Sequence, residues 1–407
     1  MKDKMKKLVG ILLIALGAFG GSCQKDKMMG DPVDTIKQVT KTNPMKIYMH
    51  YMPWFNSKEF SGYWGTHWRM SNKNPETILP NSQREIASHY YPLIGPYDSS
   101  DPDLVDYHAL LMKYIGVDGI LIDWYGSYNV LDYGANLKNS NAIIEGMKKV
   151  GLGFGIVYED ATAGEVSRRK GITTVAAAQE DMKYMQQNYF TSDRYLQLAD
   201  KPLVLTFGPR TIKTPDEWSQ VLNVLNPKPS FLPLWDHTYR VGNENATGEF
   251  SWVDFNSSLE DLDHFYSTTS PETHIGSAYA GYNDFYVQGG WGTSNGFVEH
   301  GHGEILDLAL QKAQSHNLNY LQLVTWNDFG EGTMLEPTVE YQYQFLERLQ
   351  QFTGVSYDKS DLEVIYTYYL KRKQYKGNAD VELVLDNVFK ALNDLDIATA
   401  KDLIHNL

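Results

Sequence analysis

Cysteine is nearly absent: Cys23 is the single one in 407 residues. No intramolecular disulfide can form, and the fold must rest on its core alone. Positive charge is also short. Thirty-six Lys and Arg stand against fifty Asp and Glu, a formal net charge of −14, and no basic stripe occurs. That excludes nucleic acid as the expected partner. The N-terminal apolar run, Leu8 to Phe19, is too short for a permanent membrane-spanning helix. Two signature turns are missing as well. There is no Gly-x-Ser-x-Gly elbow for a serine nucleophile. The glycines at 151, 153 and 155 have the wrong spacing for a dinucleotide turn and fall within a strand-like run. No internal repeat of fixed period is present.

What is there begins with an export pattern. A basic stretch, Met1 to Lys7, precedes the apolar run, then Gly20-Gly21-Ser22 and Cys23. Basic, apolar and small residues in that order mark a signal peptide over residues 1–22. The cysteine after the small residues resembles a lipobox, in which Cys23 becomes the lipidated first residue. An ordinary signal peptide with an incidental cysteine is the alternative. The lipobox reading implies an exported bacterial lipoprotein, held at the outer membrane through its N-terminal lipid. Residues 23–44 are polar and aperiodic, so they read as a tether without a fold of its own.

After the tether, strand-like runs alternate with helical periodicity. The expected strands are 46–51, 119–124, 154–158, 202–207, 231–235, 251–255, 274–279 and 320–326. Helical stretches are expected over 83–94, 102–115, 135–150, 174–189, 215–225, from about 259, over 304–315 and over 339–352. Thr173 or Thr174 and Thr214 are plausible N-caps, the last with Pro215 at the first helical position. Eight strands, most followed by helices, indicate an α/β fold, a (β/α)8 TIM barrel over residues 45–355. Residues 356–407 read as a small C-terminal helical appendage.

In such barrels chemistry gathers where strands end. The expected strand ends carry aromatic and acidic residues repeatedly: Tyr51 and Trp54, Asp123 and Trp124, Tyr158 and Glu159, Trp235, Tyr279 and Tyr282. The last strand runs into Trp326, Asn327 and Asp328, with Glu331 and Glu336 beyond. Aromatic faces suit pyranose rings, although an isolated Trp at a strand end is more often packing. Asp328 and Glu331, three positions apart on a glycine-bearing turn, fit the paired carboxylates of glycosidic bond cleavage. Their bland alternative is a helix cap with a first-turn acid. Glu331 is the expected proton donor, and Asp328 the base toward a sugar 2-hydroxyl or toward water. Tyr51, Trp54, Trp124, Asp123, Tyr158, Glu159, Trp235, Tyr279, Tyr282, Trp326, Asn327 and Glu336 are the expected sugar contacts.

Tyr51-Met52-Pro53-Trp54-Phe55, Gly65-Thr66-His67-Trp68, the run Gly116 to Tyr125 and the run Trp326 to Thr333 together resemble glycoside hydrolase families 71 and 99. The likeness keeps the same order over roughly residues 45–350. It implies a (β/α)8 enzyme acting inside α-linked glucan or mannan chains. Family 99 further implies a retaining route, in which one carboxylate deprotonates the sugar's own 2-hydroxyl to give a 1,2-anhydro intermediate. This chain has Asp328 where family 99 typically has Glu. Asp-Phe-Gly-Glu is closer to family 71, and Gly332-Thr333 with Glu336-Pro337 closer to family 99.

The expected function is an endo-acting glycoside hydrolase on an α-linked glycan, α-mannan before α-glucan, working as a monomer without cofactor or metal. His300 and His302, with Glu299 and Glu304 nearby, lack a further ligand at useful spacing for a metal site. The alternative is a surface lipoprotein that binds glycans on a barrel scaffold without cleaving them.

Overall fold

The structure, a computed structural model, describes residues 36–268 and 273–407. The expected signal peptide, Cys23 and residues 24–35 of the expected tether lie outside the described residues. The parallel strands are β1 (Lys46–Tyr51), β2 (Gly119–Trp124), β3 (Gly153–Tyr158), β4 (Lys201–Thr206), β5 (Ser230–Pro233), β6 (Glu249–Phe250), β7 (His274–Ala278) and β8 (Tyr320–Leu323). They pair in the order β4-β3-β2-β1-β8-β7-β6, with β5 on the far side of β4. A two-residue strand, Gln197–Leu198, adds antiparallel to β4. The remaining seam lies between β5 and β6. There Thr247 N donates to the Phe231 carbonyl and Trp235 N to the Phe250 carbonyl, both at 2.9 Å. A parallel bridge between Leu234 and Phe250 completes the ring. The eight strands thus curl into an α/β barrel, as the alternating pattern implied.

The strands form where apolar and β-branched residues run together, and they are buried on both faces. Outside them lie α1 (Pro102–Tyr114), α2 (Tyr133–Val150), α3 (Asp160–Lys170), α4 (Thr174–Asn188), α5 (Pro215–Leu222), α6 (Glu260–Ser267), α7 (Glu304–Ser315) and α8 (Gln344–Thr353). The caps are the polar residues that the sequence offers. Thr173 accepts from Ala176 N, and Thr214 accepts from Glu217 N with Pro215 following.

Several expected elements change. Residues 83–94 are not helical. Pro92 has no N–H and biases Tyr91 toward extended backbone. The segment instead bonds to the chain after β8, Leu93 N to the Pro337 carbonyl and Val339 N to the Tyr91 carbonyl. The sixth strand is Glu249–Phe250 and stops before the whole of the expected 251–255. The Asp254 carboxylate accepts from Asn256, Asp261 and Leu262 N, which turns the chain out of the sheet into α6. The eighth strand stops at Leu323, and the last barrel helix begins at Gln344 after a turn in which Gln342 has a φ of 50°. The helix α3 has no counterpart among the expected elements.

Residues 36–407 form one compact unit. Its boundary falls earlier than the expected 44/45, because Thr42 N and Asn43 N both donate to the Thr353 carbonyl and the Asn43 amide to that of Phe352. The C-terminal helices α9 (Lys359–Gln374), α10 (Ala379–Asn393) and α11 (Ile397–His405) belong to this unit. They cover α1. The Tyr114 hydroxyl donates to the Leu392 carbonyl at 2.7 Å, Lys113 Nζ reaches the Asn393 carbonyl and side chain, and the Tyr107 and Tyr369 rings lie 5.0 Å apart. Among the described residues no helix is long and apolar enough to cross a membrane.

Deleting residues 356–407 would uncover Leu104, Tyr107 and Tyr114 and remove the buried Leu362, Ile365, Leu385 and Leu392. Burial of each such side chain is worth about 2 kcal/mol, against roughly 5–15 kcal/mol for a whole domain. A chain of residues 36–355 is therefore expected to lose cooperative thermal unfolding, measured by circular dichroism. A transition within a few degrees of the full chain would show that the helices are dispensable.

Candidate active site

Side-chain parity along the strands decides which rim residues reach the centre, because successive residues point to opposite faces. On β2 Asp123 points inward and Trp124 outward. On β3 Glu159, just past the strand, points inward and Tyr158 outward. On β1 His50 points inward and Tyr51 outward. The result is a cavity of about 190 Å³ at the C-terminal ends of the strands. Asp123, Glu159, Asp328 and Glu331 line it, with one guanidinium, Arg210. Trp54, His67, Tyr125, Phe207, Trp252, Tyr286 and Trp291 supply aromatic walls, and Met52, Met70 and His50 complete it.

The turn that carries Asp328 and Glu331 is braced from within. Asp328 N donates to Thr325 Oγ1 at 2.8 Å, and Glu331 N donates to Asp328 Oδ1 at 2.9 Å. Thr333 N returns to the Asp328 carbonyl at 3.2 Å. Gly332 has a φ of +68°, and a Cβ there would stand 2.7 Å from the Asn283 carbonyl, so the turn requires glycine. From behind, His300 Nε2 lies 2.6 Å from the Gly332 carbonyl and its Nδ1 lies 3.1 Å from the Tyr90 hydroxyl. Both nitrogens of that histidine are thereby engaged. Among the described residues no group of three or more His, Cys, Asp or Glu is placed to hold a metal ion.

Asp328 is only 3 % exposed. Burial and the neighbouring Glu331 raise its pKa well above the usual carboxylate range, while the N–H groups of Glu331 and Gly330 favour its charge. Burial also raises Glu331, opposed by the hydroxyls of Tyr286 and Tyr282. The Tyr286 hydroxyl donates to Glu331 Oε1 at 2.8 Å. Asp123 is likewise 3 % exposed and is raised by burial, then by Glu159 and Asp328. Burial pushes Glu159 up to about 7, with Arg210 pulling the other way. His50 and His67 are neutral, because burial lowers them to about 4 and about 3. Neither can neutralise the carboxylates. Acids raised in this way keep protons to higher pH than free carboxyls do, which is what general acid–base chemistry uses.

Of the expected sugar contacts, the cavity gathers Trp54, Asp123 and Glu159 around Asp328 and Glu331. Tyr282 stands beside Glu331 at the edge of the cavity, and the remaining ones are committed elsewhere. Tyr51 bonds His108 Nδ1 at 3.1 Å, and Tyr158 donates to Asp181 at 2.9 Å. Trp124 packs on Tyr184, and Trp235 meets Phe265 edge to face. Tyr279 braces Asp254, and Tyr282 accepts from the Asn295 amide beside the cavity. Trp326 lies against His108. The Asn327 side chain ties the last strand to the first, accepting from Met52 N at 2.8 Å and donating to the Met52 carbonyl at 3.0 Å. Glu336 accepts from the Tyr97 hydroxyl at 2.7 Å and faces His108 outside the cavity.

His50, Trp252, Tyr286 and Trp291 were not among the expected site residues. Inward parity on β1 was a usable signal for His50. Tyr286 and Trp291 sit on a loop after β7 that carries no periodicity, so nothing in the sequence pointed them at Glu331.

Comparison with known proteins agrees with the architecture. No family model matches the chain. It is 22 % identical over 324 residues to a glycoprotein endo-α-1,2-mannosidase-like protein of Danio rerio, covering 72 % of this chain and 71 % of that one. A similarly described protein of Mus musculus is 21 % identical over the same length, covering 72 % and 69 %. Among solved structures, the GH99 endo-α-mannosidase of Bacteroides thetaiotaomicron superposes with a TM-score of 0.60 at 18 % identity, over 76 % of this chain and 96 % of that one. A glycoside hydrolase-like protein gives 0.55 at 13 % identity, over 81 % and 99 %. The chain is thus distantly similar to the GH99 endo-α-mannosidases and shares their fold.

The loop carrying Arg210 hangs on one carboxylate. Asp160 accepts from Arg210 N at 2.8 Å, Thr211 N at 2.6 Å and Ile212 N at 2.8 Å. Asp160→Ala would leave three donors unpaired and is expected to cost about 3 kcal/mol in urea denaturation. A loss below about 0.5 kcal/mol would mean that water replaces the carboxylate without penalty.

Proposed function

We propose that the protein hydrolyses an α-linked glycan, with Glu331 giving the proton to the leaving oxygen and Asp328 acting as the base. The observation that carries this is the adjoining, buried pair of carboxylates in a cavity walled by aromatic side chains. A protein that only bound sugar would gain nothing from two desolvated acids side by side, since each costs several kcal/mol to bury. The distant similarity to endo-α-mannosidases favours an α-mannan over an α-glucan as substrate, and cleavage within chains.

The roles follow from what faces each group. Asp328 receives backbone N–H groups, which favour its anion and suit a base. Glu331 is held by phenol hydroxyls and lies nearer the opening, where a leaving oxygen would pass. In the retaining route that the family 99 resemblance implies, Asp328 takes the proton of the sugar 2-hydroxyl. That oxygen then attacks the anomeric carbon while Glu331 protonates the departing oxygen. Water next opens the 1,2-anhydro ring, giving its proton back to Glu331, and Asp328 returns its proton to the 2-oxygen. The backbone that carries the shorter Asp328 side chain is fixed by the bond from its N–H to Thr325 Oγ1.

The test is release of oligosaccharides from yeast α-mannan and from α-1,3-glucan, followed by chromatography. Wild type is expected to cleave the mannan. Glu331→Gln and Asp328→Asn are each expected to lose at least about 1,000-fold in kcat. Because both acids are raised, the pH profile should be a bell whose limbs both lie above the ordinary carboxylate range. The two limbs belong to the pair: activity falls on the acid side as both carboxyls are protonated and on the alkaline side as both lose their protons. A wild type that binds these glycans without cleaving them, or a Glu331→Gln protein as active as wild type, would refute the assignment.

A further inference from the structure

The loop after β7 is attached to the catalytic turn. Asn283 N donates to the Glu331 carbonyl at 2.9 Å, and Phe285 N to the Gly330 carbonyl at 2.8 Å. The Asp284 carboxylate closes the loop on itself, accepting from the Ser294 hydroxyl and from Asn295 N. On this framework Trp291 stands between Gly290 and Gly292, whose φ values are +76° and +133°. Trp291 lines the cavity, yet it is 41 % exposed. An indole left that open is unusual without a partner, because its apolar faces gain by being covered.

Its neighbours fix where it sits. The Trp291 ring stacks with Tyr286 at 6.1 Å and 27°, and Tyr286 holds Glu331. It also meets His67 edge-on at 5.7 Å, and His67 lies flat on Trp54 at 4.0 Å. One aromatic wall therefore runs from the proton donor outward to the mouth. Depth along that wall sorts the two ends of a substrate. Asp123 and Asp328, both 3 % exposed, lie deep in the cavity, whereas Trp291 is 41 % exposed at its mouth. On that order a sugar whose bond is broken at Glu331 has its ring beside the two deep acids, and the group that departs leaves past Trp291.

We propose that Trp291 is the stacking platform for the sugar on the leaving-group side of the cleaved bond. It selects substrates that continue beyond that bond. The proposal rests on Glu331 being the proton donor, as inferred above. Gly290 and Gly292 give the backbone the positive φ values that set the indole at the cavity mouth, and a Cβ on Gly292 would meet nothing within 4 Å, so this turn is free of packing on its outer side. An equatorially substituted pyranose face offers C–H groups to the indole in the manner of other apolar contacts with aromatic rings.

The test compares two probes whose leaving groups differ. In α-1,2-linked mannotetraose the leaving group is a sugar. In α-mannobiosyl fluoride it is fluoride, which has no ring to stack. For Trp291→Ala, kcat/KM on mannotetraose is expected to fall about tenfold further than on the fluoride, the scale of one stacking contact. Trp291→Phe should recover most of that difference. Equal losses on both probes, or no loss on mannotetraose, would overturn the platform. If wild type turns over neither probe, the hydrolase reading fails, and binding decides the platform separately. Calorimetric titration of mannotetraose should then show weaker binding to Trp291→Ala than to wild type. An unchanged affinity, or no binding to wild type, overturns it.

Discussion

The constraint to which the rest of the structure answers is the burial of like charges together. Asp123, Glu159, Asp328 and Glu331 share one cavity with a single guanidinium. Water is largely excluded, so each negative charge is costly and raises the pKa of the others. Such a cluster survives only if its members cannot move apart. The barrel supplies that rigidity, since β1 sits between β2 and β8 and is hydrogen-bonded to both. Asn327 extends the β1–β8 pairing above the sheet through Met52, where strand hydrogen bonds have ended. The acids thus cannot relieve their repulsion by spreading, and the relief available is a shared proton.

Supporting side chains around the rim serve that same end. Tyr97, His108 and Glu336 form a buried polar cluster that joins the chain after β8 to α1. Asp160 holds the loop that brings Arg210 toward Glu159. His300 props Gly332 from outside the cavity. Each is a buried polar residue, and each would look catalytic on composition alone. Their hydrogen bonds show them to be fixtures of the loops. The C-terminal helices contribute at a longer remove, by burying the outer face of α1, from which His108 reaches inward.

Much of the barrel was legible because period-two and period-3.6 patterns are strong over long segments. Helices with clear caps, such as those after Thr173 and Thr214, fell where expected. The misreadings have local causes: Pro92 in an otherwise helical-looking stretch, and Asp254 drawing the chain out of the sheet. The acid pair was legible from its spacing on a glycine turn. The sugar-contact set was less so, because rim position does not reveal inward or outward direction. Tyr51, Trp124 and Tyr158 sit one step off the inward register, and their neighbours His50, Asp123 and Glu159 take the cavity instead. Tyr286 and Trp291 were invisible, since only the folded loop brings them to Glu331.

The most direct measurement is a carboxyl titration of the pair. Protein labelled with ¹³C at Asp and Glu side chains would be followed by NMR across pH, in wild type and in Glu331→Gln. The account predicts that Asp328 titrates well above the ordinary Asp range in wild type. It also predicts a lower value in Glu331→Gln, where the neighbouring charge is gone and burial alone remains. An Asp328 resonance that titrates near 4 in both proteins would contradict it, because the two acids would then be neither desolvated nor coupled.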